Sequence, residues 1–324
     1  MNRNNDMLPA FIHQLDKLWD EMDKVIVGRR KELKFILTAL LSEGHVLLED
    51  LPGTGKTTMV KAFSKGLDCL FSRIQCTPDL LPSDILGGSI FNPKTSEFYL
   101  RKGPVFTNVL LVDEINRALP RTQSGLLECM EERQVSLEGK TYILSSPFIV
   151  LATQNPIEME GTFTLPEAQL DRFSMKLKLG YPTQKEEESM LEKVGDEIPY
   201  DKIDVIFDPE GIQELQRKCK DVHVHESIRE YITCLANETR SHDNISVGVS
   251  PRGSKVLYKI VKAWAMLNGR NYVILDDVKD MVKPVWNHRI ILKTEAHINN
   301  ISSEDILEEI LRKVSLPEEE VIYE

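Results

Sequence analysis

The N-terminal part of the sequence contains two stretches with the periodicity of amphipathic helices. Apolar side chains recur at helical spacing over residues 11–22 and again over residues 33–41, which places them on one face of a helix. Glu43-Gly44 follows the second stretch, and glycine is the usual residue just past the end of a helix. The pattern therefore predicts two helices ahead of the first strand.

Four short runs, three of them mainly apolar, then predict strands. They cover residues 45–49, 71–75, 109–112 and 148–152. The stretch between the first two runs, residues 57–66, has the pattern of a helix. Continuous apolar strands that alternate with helices are typical of a parallel sheet covered on both faces. The sequence thus predicts an α/β fold for this part of the chain.

Beyond residue 182 the strand pattern fades and helical patterns take over. The segments that suit helices are 185–194, 209–220, 225–240, 251–268, 275–284 and 303–314. A chain of 324 residues is long enough for two domains at roughly 100–200 residues each. We therefore expect an α/β core over residues 1–182 and a smaller helical domain over residues 183–324, with residues 316–320 as a solvated acidic tail.

Composition excludes several classes of function. With 40 Lys and Arg against 51 Asp and Glu, the net charge is −11, and an acidic surface repels nucleic-acid backbones. No run approaches the roughly 20 apolar residues of a membrane helix, and the start MNRNNDMLPA lacks the apolar core of a secretory signal. The five cysteines form no C-x-x-C pair. We expect reduced, mostly buried thiols in a cytoplasmic protein.

The strongest chemical motif is a glycine-rich loop between a predicted strand and a predicted helix. Its residues are Pro52, Gly53, Thr54, Gly55, Lys56, Thr57 and Thr58. Small residues let backbone N–H groups close around phosphate oxygens, and the helix N-terminus adds a positive dipole end. Lys56 would reach the β- and γ-phosphates, and Thr57 would hold Mg²⁺. Asp50 departs from the strict pattern, which has glycine there; the alternative is an ordinary glycine-rich turn.

Two further motifs follow later strands. The run 109–112 ends in Asp113 and Glu114; Asp113 is a candidate magnesium ligand, and Glu114 a candidate general base for an attacking water. Asn155 follows the next strand and is a candidate for orienting that water. Because ligands bind at the carboxyl ends of strands in open α/β sheets, these residues are expected near the loop. A solvated strand end and a turn asparagine are the ordinary alternatives.

Two arginines are candidates for a role that depends on assembly or domain motion. Arg172 would stabilise transition-state charge in a neighbouring site if subunits form a ring. Arg252 follows Ser250-Pro251 at a predicted helix start and would close onto the nucleotide and report its state to the helical domain. The alternatives are a surface Arg172 paired with Asp171, and a solvated Arg252 in a capping turn.

The cluster HVHE at residues 223–226 contains residue types that bind metals, but its spacing does not favour a metal site. His223 and His225 cannot share a helical face at a spacing of two residues, and no third ligand is evident. We interpret the cluster as a surface turn before a helix.

The order of the motifs resembles that of the AAA+ ATPases, and most closely of the MoxR family among them. The resemblance is carried by residues 44–58, 73–87, 103–140 and 152–182, and by SPRG, NGRNYV and HRI within 250–290. It implies an AAA+ P-loop domain with three αβα layers and a small all-α lid. The implied roles are Walker A for Lys56 and Thr57, Walker B for Asp113 and Glu114, sensor 1 for Asn155, arginine finger for Arg172, and sensor 2 for Arg252.

The resemblance also implies roles for segments outside these motifs. Val27 and Gly28 would lie against adenine. Residues near 83–102 would form an insert, and residues 134–142 a hairpin, both facing partners or a ring pore. Arg117 and Arg121, which follow Walker B, are alternatives to Arg172 as the finger.

The activity implied by the resemblance is hydrolysis of ATP to ADP and phosphate with Mg²⁺. Proteins of this kind are expected to form a ring, here a hexamer, and to act as chaperones for clients with a von Willebrand factor A domain. The rival interpretations are a metal-chelatase-type motor subunit, a nucleic-acid-linked AAA+ motor, and a nucleotide-dependent switch that hydrolyses little.

Overall fold

The central feature of the fold is a parallel sheet of five strands. The structure is a computed structural model that describes residues 7–49, 53–155, 161–193 and 202–314. The strands are β1 (Val46–Glu49), β2 (Phe71–Gln75), β5 (Val109–Asp113), β8 (Ile149–Gln154) and β9 (Met175–Lys178), in the order β2-β5-β8-β1-β9. Four of them are the predicted strands. The hydropathy pattern did not indicate β9, because this edge strand alternates apolar residues with Lys176 and Lys178.

The inner strands β1, β5 and β8 are buried on both faces, which explains why each forms a continuous apolar run. Alternate residues of a strand point to opposite faces. Leu47, Leu110 and Val150 share one hydrophobic cluster with side chains of α5 (Pro120–Glu132). The other face belongs to a larger cluster with α1 (Met7–Val25), α2 (Arg30–Leu41) and α3 (Lys56–Gly66). The core is therefore the predicted helix–sheet–helix sandwich.

Two hairpins extend from this core. α4 (Pro82–Leu86) leads into β3 (Gly87–Asn92) and β4 (Glu97–Lys102), and β6 (Gln134–Leu137) pairs with β7 (Lys140–Ile143). They correspond to the insert near 83–102 and to the hairpin over 134–142. A short 3₁₀ turn (Ile115–Arg117) follows β5, and α6 (Glu167–Leu170) precedes the last strand.

The second half of the chain is helical, as predicted. Its helices are α7 (Gln184–Lys193), α8 (Pro209–Asp221), α9 (Glu226–Ser241), α10 (Pro251–Leu267), α11 (Leu275–Trp286), α12 (Thr294–Ile298) and α13 (Ser303–Lys313). The expected all-α lid also contains a short antiparallel pair, β10 (Ile245–Val247) and β11 (Ile291–Leu292). Two strands this short leave too weak a pattern to be recognised in the sequence. The acidic stretch 316–320 lies outside the described residues.

The helix starts in the lid follow directly from local sequence. The side chains of Asp208 and Ser250 accept the backbone N–H of Gly211 at 2.7 Å and of Gly253 at 3.2 Å. In both helices proline occupies the first turn, where its missing N–H is no loss. His225 caps α9, so this histidine of the HVHE cluster has the structural role expected of it.

The lid packs on α2 and so continues the hydrophobic core of the first domain. The rings of Phe35 and Trp264 stack with centroids 5.4 Å apart. Gln216 Nε2 donates to Leu40 O at 2.7 Å, and Lys34 Nζ donates to Asn268 Oδ1 at 2.6 Å. Any rotation of the lid must therefore disturb contacts with α2.

The cysteines carry no disulfide within the described residues. Four of them are buried, and burial raises the pKa of the thiols of Cys69, Cys76, Cys129 and Cys219 to about 12. They therefore stay protonated at neutral pH and are poor nucleophiles. Cys234 is exposed.

Candidate nucleotide-binding site

The glycine-rich loop lies at the start of α3. Gly53 and Gly55 have φ of +82° and +79°, which glycine adopts without steric penalty. Among the described residues, no atom lies within 4 Å of a Cβ built at either position, so backbone conformation rather than space requires glycine. Lys56 is the first residue of α3, so the positive end of the helix dipole lies at this loop and favours an anion. Pro52 and Asp50 lie outside the described residues.

One cleft brings the predicted motifs together; we call it the phosphate cleft. It encloses about 250 Å³ and is lined by Gly53, Thr54, Gly55, Lys56, Thr57, Thr58, Arg73, Gln75, Asp113, Glu114, Thr153 and Asn155. It lies at the carboxyl ends of β2, β5 and β8, the usual place for ligands in such sheets. Two larger grooves, of about 550 and 470 Å³, contain none of the predicted site residues.

Asp113 is buried at the end of β5 and held on both oxygens. Its Oδ2 accepts Arg73 Nε at 2.6 Å, and its Oδ1 accepts Thr153 Oγ1 at 3.4 Å. Arg73 is half-exposed, so its guanidinium can move away. A cation bound by Asp113 would have to share this carboxylate with Arg73 or displace it.

Glu114 is fixed by its backbone and by three neighbours. Its φ of +55° is uncommon for a residue with a side chain. Its N–H donates to Thr153 Oγ1 at 2.8 Å, and Gln75 Nε2 donates to Glu114 Oε2 at 3.0 Å. Arg117 Nε lies 2.9 Å from the same oxygen. The candidate base is thus held at the mouth of the phosphate cleft, and Arg117 contacts its own chain's glutamate.

Arg73, Gln75 and Thr153 are cleft residues for which sequence reasoning predicted no role. Their signal is polar residues at the carboxyl ends of buried strands: β2 reads FSRIQ, with Arg73 and Gln75 on one face and Ile74 on the other. The register that pairs Gln75 with Asp113 brings them to the acidic residues. Asn155, which is buried, lines the cleft with them.

Arg172 and Arg252 do not line the phosphate cleft. Arg172 Nε lies 3.2 Å from Glu131 Oε2, and Arg252 Nη2 lies 3.0 Å from Glu131 Oε1. Arg252 Nε also lies 3.5 Å from Asp171 Oδ2. The two arginines, one from each domain, thus meet on one surface with Glu131 and Asp171, which we call the arginine surface. In this structure Arg252 does not close onto the phosphate cleft of its own chain.

The other predicted positions lie around these two regions. Val27 and Gly28 join α1 to α2, and a Cβ at Gly28 would meet the Glu186 carboxylate, so this segment packs directly on the start of α7. Arg29 Nη2 donates to Gly180 O at 2.7 Å. Arg121 is exposed on α5. The segment expected to contact adenine therefore lies at the junction of core and lid.

The cleft has the donor types that a magnesium–nucleotide complex requires. The Thr57 hydroxyl and the Asp113 carboxylate both line it, and Mg²⁺ prefers oxygen ligands and shares them with substrate phosphates. No group of three or more His, Cys, Asp or Glu side chains suited to a metal occurs in the described ranges. A magnesium ion in the cleft would thus depend on phosphate and water for its remaining ligands. Within those same ranges, no helix is long and apolar enough to cross a bilayer.

Comparison with known proteins identifies the class. Residues 45–175 match the family described as "ATPase family associated with various cellular activities (AAA)", and residues 237–310 match the AAA lid domain. A crystal structure of a protein provisionally described as an ATPase, from Cytophaga hutchinsonii, superposes with a TM-score of 0.91 at 40% identity. The alignment covers 96% of this chain and 97% of that one. The protein is an AAA+ ATPase by fold.

Relatives narrow the class to a family. Protein YeaC of Bacillus subtilis is 47% identical over 94% of this chain and 95% of its own length. Chaperone MoxR1 of Mycobacterium tuberculosis is 40% identical, over 96% of this chain and 84% of its own. Protein MoxR of Paracoccus denitrificans is 30% identical, with coverages of 84% and 86%. The chain belongs to the MoxR family of AAA+ ATPases.

Proposed function

We propose that the protein hydrolyses ATP to ADP and phosphate in the phosphate cleft and uses the energy to remodel a protein client in the cytoplasm. The observation that carries this proposal is the convergence of the loop, Asp113, Glu114 and Asn155 on one cleft. The chaperone role is supported by the name of the relative MoxR1. The net charge of −11 argues against nucleic acid as the client.

Each cleft residue has a task that its position supports. Backbone N–H groups at Gly53 to Thr58 cradle the phosphates, and Lys56 neutralises the β- and γ-phosphates. Mg²⁺, held by Thr57 and Asp113, would stabilise charge on the phosphate oxygens. Glu114 accepts a proton from the attacking water, and Asn155 orients that water. Gln75 and Arg117 keep the Glu114 carboxylate in place.

The separation of the arginine surface from the cleft supports a shared site. We propose that chains form a ring, a hexamer, in which Arg172 and Arg252 act on the nucleotide of the neighbouring chain. Two guanidinium groups held side by side, one partly exposed and one exposed, suit a triphosphate. Arg117 is a weaker candidate for this task because it contacts Glu114 of its own chain. The core (1–182) and lid (183–324) are proposed to move relative to each other around residue 182.

The client is proposed to be a protein with a von Willebrand factor A domain, as the family resemblance implies. The β3–β4 hairpin supports contact with a protein, since Phe91, Phe98 and Tyr99 are 49%, 68% and 52% exposed. Exposed aromatic clusters of this kind mark interaction sites.

Substitution Glu114→Gln tests the hydrolysis. We expect turnover to fall by about 10²-fold or more, while ATP affinity, measured by titration calorimetry, is retained. Glu128→Gln, at an exposed position on α5, is the matched control. Normal turnover in Glu114→Gln would show that Glu114 is not the base.

The same variant tests the client. Glu114→Gln protein held with ATP and Mg²⁺ is used to capture partners, with Lys56→Ala as the control that cannot hold nucleotide. Recovery of a protein with a von Willebrand factor A domain supports the proposal. Recovery of chelatase subunits or nucleic acid instead would favour a rival motor.

A further inference from the structure

The arginine surface rests on a third arginine that is buried. The Arg289 side chain is 2% exposed, against 29% for Arg172 and 46% for Arg252. Arg289 follows α11 in the lid, yet most of its hydrogen-bond acceptors belong to the core. Burying a guanidinium costs free energy of folding unless its N–H groups are hydrogen-bonded. A residue that only fills space would not need this charge, so the buried Arg289 indicates a specific role.

Arg289 donates hydrogen bonds to the residues on both sides of Arg172. Its Nε donates to Asp171 Oδ1 at 2.8 Å, and its Nη2 donates to Asp171 O at 3.2 Å and to Phe173 O at 2.6 Å. Its Nη1 donates to Ser174 O at 3.2 Å. One planar group thus fixes the carbonyls immediately before and after Arg172, which sets where the Arg172 side chain leaves the backbone.

The same residue also supports Arg252. A Cβ at Gly253 would lie 3.0 Å from Arg289 Cδ, so the first turn of α10 packs directly on the Arg289 stem. Asp171 joins the two lid arginines, with Oδ1 facing Arg289 and Oδ2 facing Arg252. Burial lowers the pKa of Arg289 to about 10, and Asp171 opposes this shift. The guanidinium therefore stays charged at neutral pH.

We propose that Arg289, together with Asp171, is a positioning residue that presents Arg172 and Arg252 as one unit to the nucleotide of the neighbouring chain. Because Arg289 and Arg252 belong to the lid and Arg172 to the core, displacement of the lid separates the two arginines and so adjusts hydrolysis in the next subunit. This inference rests on the proposed shared site.

The test separates a defect in the neighbour's site from general damage. In Arg289→Met, we expect turnover per chain to fall at least tenfold, with ATP affinity changed less than twofold. Mixing with Glu114→Gln chains, which cannot hydrolyse but carry intact arginines, is expected to restore turnover. Arg172→Ala mixed in the same way is the reference, and Arg217→Met, an exposed lid arginine, is the control expected to keep full activity.

The outcomes distinguish the positioning role of Arg289 from the proposed shared site on which it rests. If Arg172→Ala is rescued by mixing but Arg289→Met is not, Arg289 is only structural and the inference is overturned while the shared site stands. If neither is rescued, the shared site fails and the inference fails with it. Full turnover in Arg289→Met also overturns it. Asp171→Asn, at a partly exposed position, gives the same test should Arg289→Met not fold, and Arg289→Lys is expected to recover only part of the turnover because it lacks the fork.

Discussion

The phosphate cleft and the arginine surface are built in different ways. The cleft residues all belong to the core; they lie on the loop and first turn of α3 or at and near the carboxyl ends of β2, β5 and β8. The arginine surface combines side chains from α5, from the segment after α6 and from the lid. The cleft therefore keeps its shape when the lid moves, whereas the arginine surface exists only while core and lid are packed in this arrangement. Under the proposed function, nucleotide binding belongs to the cleft and control of turnover to the arginine surface.

The largest expected effect is the loss of turnover when an arginine of the arginine surface is removed. Arg172→Ala should lower turnover by about 10³-fold, since an arginine supplied to the transition state contributes this much or more. ATP affinity should be unchanged because Arg172 does not line the cleft. Steady-state turnover and nucleotide titration on the same preparation check the prediction.

The control for Arg172→Ala is Lys56→Ala, in which both binding and turnover should be lost. A comparable loss of ATP affinity in the two variants would break the comparison, because it would mean that Arg172 reaches the nucleotide of its own chain.

Sequence patterns identified the cleft much better than the arginine surface. Lys56, Asp113 and Glu114 stand directly beside apolar strand or helix patterns, so local sequence is enough to place them together. Arg73 and Gln75 needed the register of β2 against β5, which hydropathy does not give. The contact between Asp171 and Arg289 joins residues that are 118 positions apart in the sequence. Most hydrogen-bond acceptors of Arg289 are backbone carbonyls, which no side-chain pattern encodes.

An effect of intermediate size is expected from the buried His45, which bonds both to β8 and to α5. It precedes β1, its backbone O accepts Ser174 N–H at 2.8 Å, and its ring Nε2–H donates to Met130 O at 2.9 Å, next to Glu131. Ring Nδ1 accepts Val150 N–H at 3.0 Å, which requires a neutral ring. Burial lowers the pKa of His45 to about 4.

The sign of the pH dependence follows from that shift. As pH falls below the ordinary histidine value of about 6.5, the unfolded chain takes up a proton that the folded chain refuses. The stabilisation is present above that value and is lost progressively toward pH 4. At pH 5 the loss is about 2 kcal/mol. Urea unfolding at pH 7 and pH 5 should show a difference of at least this size in the native protein, since burial also lowers the pKa of His288, and a smaller one in His45→Gln. An equal pH dependence in both would show that His45 is not its source.

The smallest expected effect tests whether the cleft is as fixed as its strands suggest. Arg73 holds Asp113 through an ion pair that is half-exposed, and such pairs contribute about 0.2–1 kcal/mol. Arg73→Met should therefore free Asp113 and lower the magnesium concentration for half-maximal turnover by about threefold. A magnesium titration of turnover measures this, with Arg217→Met as the control. A higher magnesium requirement in Arg73→Met would mean that Arg73 orders the carboxylate rather than competing for it, and that the cleft, like the arginine surface, depends on an arginine to hold its acid in place.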